Sequence, residues 1–495
     1  MLQYLKETQE QTTNYTYTEN GAYTLKSANS ACLDLFGTIG ALRNAEETDI
    51  INRFARAYRE DASLAMKILF FARDVRGGLG ERRVFRIILH WLAQTHPQSV
   101  LNNLPWIAEF GRYDDLLCLW DTLCQHEMIA FMKAQLEKDL DAMQQNRSVS
   151  LLAKWLPSVN ATSKETVYAA KRLAKALGMQ EALYRKTLSS LRSYLQITEN
   201  YLREKDYSFA YQEQPSGAMM KYRAAFWRND GERYQQYLDA VSSGEKMLHT
   251  GTLTPYEVIR PVLQGGGWFT PANISLQDRK SLDITWNALA DYTSGENALV
   301  VVDGSGSMYN NNCLAISVAL SLGIYFAERN TGVFHNHFIT FSTTPKLVEI
   351  KGHDIYEKVQ HCAKYNEAAN TDLQRVFDLI LQTAIQHQLP QEQMPSSVYI
   401  VSDMEFDACV AKGSVTNFEF AKKKYQDAGY QLPQVIFWNV DSRNTQQPVR
   451  AHDTGTALVS GCSSRLFAML AKKQLNPYNY MTDILSSERY ALISA

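Results

Sequence analysis

Residues 298–307 read Ala-Leu-Val-Val-Val-Asp-Gly-Ser-Gly-Ser. Five apolar residues, three of them valine, read as a strand buried on both faces. The run ends on three oxygen-bearing side chains at every second position: Asp303, Ser305 and Ser307. In an open α/β sheet, ligands sit beyond the carboxyl ends of the strands. Alternate spacing through an extended turn brings three such oxygens toward one point. Hard oxygen donors in a near-octahedral arrangement suit Mg²⁺, or Mn²⁺ as its near relative. Two further groups are expected there. Asp403 closes a later apolar run, SVYIVSD (397–403), and Thr371 lies in NEAANTDL (366–373) just before a helix. Five oxygen groups from three loops leave one position for water or for a partner's carboxylate.

Outward from this stretch the pattern is strand and helix in alternation. ALVVVD is followed by the helix at 313–328, apolar nearly all round, and then by NHFITFS (336–342) and KLVEI (346–350). The helix LQRVFDLILQTAIQHQ precedes SVYIVSD; FEFAKKKYQDAG precedes QVIFWNV (434–440); TALVSG (456–461) precedes RLFAMLAKK. Such alternation predicts a doubly wound, mostly parallel sheet covered on both faces, an α/β domain over 286–495.

Before about residue 285 the period is helical. SLAMKILFFARDV (63–75) stops at Gly77-Gly78, and ERRVFRIILHWLAQTHP (81–97) stops at Pro97. VLNNLPWIAEFG, RYDDLLCLWDTL and HEMIAFMKAQLEKDLDAMQQN continue the pattern, and a second helical run covers 163–242, opening at Ser163 and Glu165. Short links predict antiparallel neighbours and an α-helical repeat domain over 1–285, although no fixed period repeats. LQGGGWFTPANISLQDR (263–279) reads as the linker.

The 495 residues carry a net charge of −2, which argues against a polyelectrolyte binder as a whole. Two blocks are locally basic: 51–100 has 9 basic and 4 acidic residues, and 151–200 has 8 and 3. No stretch is long and apolar enough for a membrane span, and the polar first twenty residues lack the regions of a signal peptide. Seven scattered cysteines without a C-x-x-C pair fit a reducing cytoplasm rather than a zinc site or disulfide framework. Acyl-transfer chemistry fits poorly, because the G-x-S-x-G elbow needs glycine where Asp303 stands, and GGLGERR (77–83) lacks the G-K-[ST] of a phosphate loop. No nucleophile–base pair stands out, so a non-enzyme is expected.

D-x-S-x-S after a buried strand, the Thr371-Asp372 pair and the Ser402-Asp403 strand end resemble a von Willebrand factor A domain with its metal-ion-dependent adhesion site. That resemblance implies Asp303, Ser305, Ser307, Thr371 and Asp403 as the metal shell, the hydroxyls contacting the ion and the aspartates often acting through water. Asn370 stands where many members have glycine, and Glu405 is an extra acid read as a solvated loop residue. ARDVRGGLGERRVF, EFGRYDDLL, KWLPS (154–158) and YRKTLSSLRSYL resemble an uncharacterised intracellular family in which a TROVE-like helical domain precedes an A domain, an architecture similar to that of the Ro ribonucleoproteins. This implies HEAT-like repeats closed into a ring, small structured RNA on a basic outer face and single-stranded ends through the hole.

The candidate RNA contacts are Arg73, Arg76, Arg82, Arg83 and Arg86 around the glycine turn; Lys154, Lys171, Arg172 and Lys175; and Lys221 and Arg223 in KYRAAFWRNDGERY (221–234). Cations neutralise phosphates and aromatic or guanidinium planes stack unpaired bases. The competing reading is of solvated helix faces, with Arg73 or Arg76 pairing inside the helical domain. Arg203 and Lys205 are not expected to contact RNA. The alternative function is a metal-dependent adaptor that takes an acidic side chain from a protein partner.

Overall fold

The computed structural model describes residues 14–264, 272–293, 295, 297–341, 344–366, 371–408, 415–471 and 475–495. Asn370, Cys409 and the centre of the 263–279 linker lie outside the described residues. The chain packs as two compact units: one joins residues 1–72, 77–79 and 250–491, and the other holds 73–76, 80–249 and 492–495. These units do not follow the 1–285 and 286–495 division of the chain.

In the first unit, six strands form one sheet. They are β3 (Ala298–Asp303), β4 (His337–Phe341), β5 (Leu347–Glu349), β6 (Ser397–Ser402), β7 (Gln434–Asn439) and β8 (Thr456–Ser460), in the order β5-β4-β3-β6-β7-β8. All neighbours are parallel except β5, an antiparallel edge on β4. Every residue of β3, β6 and β8 is buried, as continuous apolar runs require of strands covered on both faces. The chain winds from β3 outward to β4 and β5, then returns to β6 on the other side of β3 and winds away through β7 and β8. The boundary between β3 and β6 is therefore the point where strand order reverses, and its carboxyl end is where such sheets open a crevice.

Helix Asn310–Arg329 is buried continuously from Leu314 to Ala327, in line with its all-round apolar sequence. It opens through three left-handed residues, Asn311, Asn312 and Cys313. Asparagine tolerates that conformation best after glycine, which accounts for the asparagine run.

Two segments read from sequence as helical-domain chain pack with the sheet. Helix Pro255–Leu263 lies along helix Asn310–Arg329, and helix Leu276–Asn287 lies on helix Ile355–Ala363. Trp286, fully buried, donates from Nε1 to Glu328 at 2.7 Å. The N-terminal residues contribute a hairpin that the helical reading did not include: β1 (Tyr15–Tyr17) and β2 (Tyr23–Leu25), antiparallel. The alternation Y-T-Y and Y-T-L is its period-2 signal. Bridges Gly21↔Asp407 and Leu25↔Gln447 join the hairpin to the loops after β6 and β7.

The second unit is helical. Helices Arg83–Thr95, Gln125–Gln144, Lys164–Ala176, Glu181–Tyr194 and Ser216–Ser242 are its longer members. Ser163 caps its helix through the Thr166 amide at 3.3 Å. RYDDLLC forms a 3₁₀ turn, Tyr113–Leu119, whose start is fixed by Asp115 accepting from the Arg112 amide at 2.9 Å. Phe209, Tyr211, Phe226, Tyr234 and Tyr237 make one aromatic cluster. The aromatic residues interleaved in 221–234 thus serve packing, with Phe226 and Tyr234 buried. The six cysteines among the described residues are free. No helix among them is long and apolar enough to cross a membrane.

Candidate functional site

Register builds the first site. Val302 pairs with Val401 on neighbouring parallel strands, so the next residues, Asp303 and Ser402, stand side by side at the switch point. Ser402 Oγ donates to Asp303 Oδ2 at 2.6 Å, and Asp303 Oδ1 accepts from the Ser305 amide at 2.9 Å. The Asp303 carboxylate therefore shapes the loop that carries both serines. Gly304 is required there: a Cβ would stand 2.8 Å from Asn366 Oδ1 and 3.1 Å from Asn366 Cα. Ser305 Oγ lies 3.2 Å from Ser307 Oγ, and Ser307 Oγ donates to Asp403 Oδ2 at 2.7 Å.

Adjacent ligands of an octahedral Mg²⁺ at about 2.1 Å stand about 3.0 Å apart, so the two serine hydroxyls already have the span of neighbouring ligands. Asp303 is wholly buried and Asp403 is 3% exposed. Burial, and then the Asp403 charge, raise the Asp303 pKa above the usual carboxylate range. Two buried carboxylates at one point call for a cation. The donor set fits Mg²⁺ or Mn²⁺: two acids and hydroxyls only, with no cluster of three or more His, Cys, Asp or Glu among the described residues.

Four of the five expected ligands are thus linked. Thr371, 2% exposed, is not bonded to the other four; its hydroxyl donates to the Glu405 carbonyl at 2.7 Å and accepts from Asn20 Nδ2 at 3.2 Å. Glu405 is not a solvated loop acid. It is 2% exposed, and its carboxylate accepts from the Glu19 amide (2.8 Å), Asn444 Nδ2 (2.9 Å) and Gln446 Nε2 (2.7 Å). It ties the hairpin turn and the loop after β7 to the strand end that carries Asp403. Arg443 in that loop donates from Nη2 to Asp403 Oδ2 at 2.8 Å. Neither Glu19, Asn20 nor Arg443 has a local sequence signal, because each meets the site across hundreds of residues or from an unpatterned loop.

The cationic residues of the second unit are less uniform than their spacing suggested. Arg73 is 2% exposed and paired with Asp115 at 2.8 Å, so it is a structural ion pair and offers nothing to a phosphate. Gly111 permits that pair: a Cβ there would meet Asp115 Oδ2 at 2.4 Å and Arg73 Nε at 2.7 Å. Arg86 bridges Asp114 (2.8 Å) and Asp115 (2.6 Å), and Arg76 pairs with Glu109 at 3.2 Å. Lys154 faces Glu199 at 3.8 Å, Lys171 pairs with Glu181 at 3.2 Å, and Arg172 holds Asp121 while lying 4.3 Å from the Trp120 ring. Lys221 sits 4.7 Å from the Tyr222 ring, and Arg223 donates to the Met220 carbonyl at 2.8 Å. Arg82, Arg83 and Lys175 are exposed. Partial loss of hydration around its guanidinium, then the neighbouring Arg112 and Arg86 charges, lower the Arg82 pKa. Arg112 itself stacks on Trp155 at 3.8 Å.

A different feature gathers cations at a groove with no acid in its lining, although Arg203 there pairs with Glu204 at 2.8 Å. A groove of about 760 Å³ is lined by Ser158, Asn160, Arg185, Lys186, Arg192 and Arg203 among others, and none of its lining residues is Asp or Glu. Arg192 is positioned by the Ala153 and Leu156 carbonyls at 2.8 and 2.7 Å. Arg185 and Lys186 are not among the sequence candidates, since one helix turn of basic residues looks the same whether or not an acid faces it, and Arg203, on the next helix, is one the sequence reading sets aside.

Comparison with known proteins gives the following. Residues 297–483 match a family model described as a domain of unknown function, DUF7788, and residues 18–128 and 160–295 match another, DUF2828. The chain is 29% identical over 517 residues to the uncharacterized protein L728 of Acanthamoeba polyphaga mimivirus, an alignment covering 97% of this chain and 88% of the viral protein. The crystal structure of the Deinococcus radiodurans RO (RSR) protein aligns with a TM-score of 0.49 at 15% identity, over 93% of this chain and 99% of that one.

Proposed function

We propose that the chain is a non-catalytic RNA-binding protein that also carries a divalent-cation site at the end of its sheet. The groove carries the RNA reading: Arg185, Lys186 and Arg192 line it with no carboxylate in the lining, and Arg203 beside them faces Glu204. Elsewhere in this unit Arg73, Arg76, Arg86, Lys154, Lys171 and Arg172 already face an acid, and an ion-paired guanidinium releases little counterion when a phosphate replaces the acid. The charge division supports the reading. The unit holding the groove has 24 basic and 20 acidic residues, whereas the sheet unit has 26 and 32. The resemblance of the sequence to a family whose architecture is similar to that of the Ro ribonucleoproteins supports a small structured RNA as ligand.

The test is a filter-binding titration of a small structured RNA against wild type and the double variant Arg185→Glu, Lys186→Glu. The variant is expected to bind about a hundredfold more weakly, with a log K versus log salt slope shallower by roughly 1.4, at about 0.7 per phosphate contact. Equal affinity and equal slope overturn the reading.

A second reading, cation-dependent capture of an acidic side chain from a protein partner, is favoured by the 3.2 Å spacing of the two serine hydroxyls. Ser305, Ser307 and Asp403 would hold Mg²⁺ or Mn²⁺, with Asp303 shaping the loop and Thr371 at its edge. The ion would supply an electrophilic open position for a carboxylate. Loss of Mn²⁺ binding in Asp403→Ala is expected, and retained binding refutes it.

A further inference from the structure

One group on the rim of the oxygen shell is itself a cation. Arg443 Nη2 donates at 2.8 Å to Asp403 Oδ2, the same oxygen that accepts from Ser307 at 2.7 Å. Its Nη1 pairs with Glu19 Oε2 at 3.0 Å. The other Glu19 oxygen accepts from Asn444 Nδ2 at 2.9 Å. Glu19 sits in the turn between β1 and β2, and that turn is fastened to the strand end beside the shell. Thr18 Oγ1 donates to the Phe406 carbonyl at 2.5 Å, the Glu19 amide to Glu405 at 2.8 Å, and Asn20 Nδ2 to the Glu405 carbonyl at 2.6 Å.

We propose that Arg443 is an internal counter-cation of the shell, and that its grip on Glu19 makes the Thr18–Ala22 turn a latch that a divalent ion must loosen. The proposal rests on the cation reading above and names its regulation. Two strong donors occupy Asp403 Oδ2, so that oxygen has little electron density left for a metal. A guanidinium at hydrogen-bond distance also places one positive charge where the ion brings two, and the two repel through partly buried surroundings. Arg443 is 32% exposed and Glu19 45%, so both have room to swing away, whereas Asp403 at 3% has not. Glu19 is thus positioned as the chain's own acidic side chain at the rim where a partner's carboxylate would arrive. By linkage, an ion that displaces Arg443 weakens the turn, and loss of Arg443 strengthens ion binding by the same factor.

The full chain is titrated with Mn²⁺, followed by the electron-paramagnetic signal of the free ion, in wild type and Arg443→Gln. In parallel, amide hydrogen exchange of segments 15–25 and 440–447 is measured in wild type with and without Mn²⁺, using Asp303→Asn as the ion-binding-deficient control. Arg443→Gln is expected to bind Mn²⁺ about tenfold more tightly, toward the low end of ordinary coupling between sites. Mn²⁺ is expected to speed exchange in both segments of wild type and in neither segment of Asp303→Asn. Equal or weaker Mn²⁺ binding by Arg443→Gln overturns the latch and leaves the ion site standing. If Arg443→Gln does not fold, unchanged exchange in Mn²⁺-loaded wild type overturns it alone. Absence of Mn²⁺ binding in wild type and variant alike overturns the ion site, and the latch with it.

Discussion

The end of the sheet and the 3₁₀ turn at Tyr113–Leu119 both bury carboxylates, and they answer the burial differently. Asp115, wholly buried, is matched inside the protein: Arg73 and Arg86 reach it at 2.8 and 2.6 Å, and the Arg112 amide at 2.9 Å. Among the described residues, Asp303, also wholly buried, receives a hydroxyl and an amide but no cation, and its neighbour Asp403 has Arg443 as its one cation. A protein that has matched its buried charge has built structure there. A site left short of positive charge is poised for something from outside.

The largest effect that tests this contrast belongs to Asp115. Replacing it with alanine strands Arg73, 2% exposed, without its counter-charge. Removing one partner of a buried pair costs about 3–5 kcal/mol, read as a lower denaturation midpoint. A loss below about 1 kcal/mol would mean that the pair is not what holds the turn.

Asp303→Asn should behave in the opposite sense. Without divalent ions the variant is as stable as wild type or more so, because a buried carboxylate has been neutralised while the remaining oxygen still accepts from the Ser305 amide and the Ser402 hydroxyl turns to accept from the new NH₂. At an Mg²⁺ concentration a hundred times the dissociation constant, wild type gains about 2.7 kcal/mol and the variant gains nothing. Thermal melts with and without Mg²⁺ measure both statements, and an equal gain in the two proteins breaks the contrast.

The same contrast explains what the sequence made legible. Asp303, Ser305, Ser307 and Asp403 were readable because strand ends are fixed by topology: two buried parallel runs must finish side by side, and their last residues must face the same crevice. Thr371 was placed in the right loop, but its hydroxyl is spent on the Glu405 carbonyl. Glu405 read as solvated because its three donors come from residues 19, 444 and 446, far along the chain. The helical cations were harder still. Spacing shows which basic residues share a face, but whether Asp114, Asp121 or Glu181 stands opposite is decided by tertiary packing. The hairpin at 15–25 was missed for a related reason, since three-residue strands give too short an alternation to outweigh a helical neighbourhood.

Between the basic stretches, the acid-free groove and the paired clusters should separate in an RNA titration. Lys171→Glu with Arg172→Glu removes cations that already face Glu181 and Asp121. A loss of roughly threefold is expected, against the hundredfold expected for the groove variant, because paired cations release fewer ions. Equal losses would erase the distinction between groove and cluster.

The smallest effect concerns Asp34, a partly buried acid of the first unit. Burial is the main cause that pushes its carboxyl up to about 6; the bonds from Ser27 and the Ala28 amide and the Arg56 charge only partly oppose it. A folded-state value above the unfolded one means that the protonated form is favoured in the fold. The stability this contributes is complete below the unfolded value, near 3.8, and is lost as pH rises through 6. Asp34→Asn, which keeps an acceptor for the Ala28 amide, removes that loss. Its melting midpoint should therefore exceed wild type by roughly 2 °C at pH 7.5, with the gap already present in part at pH 5. A gap that shrinks as pH rises would show that Arg56 neutralises this carboxylate after all, placing Asp34 with Asp115 rather than with Asp303.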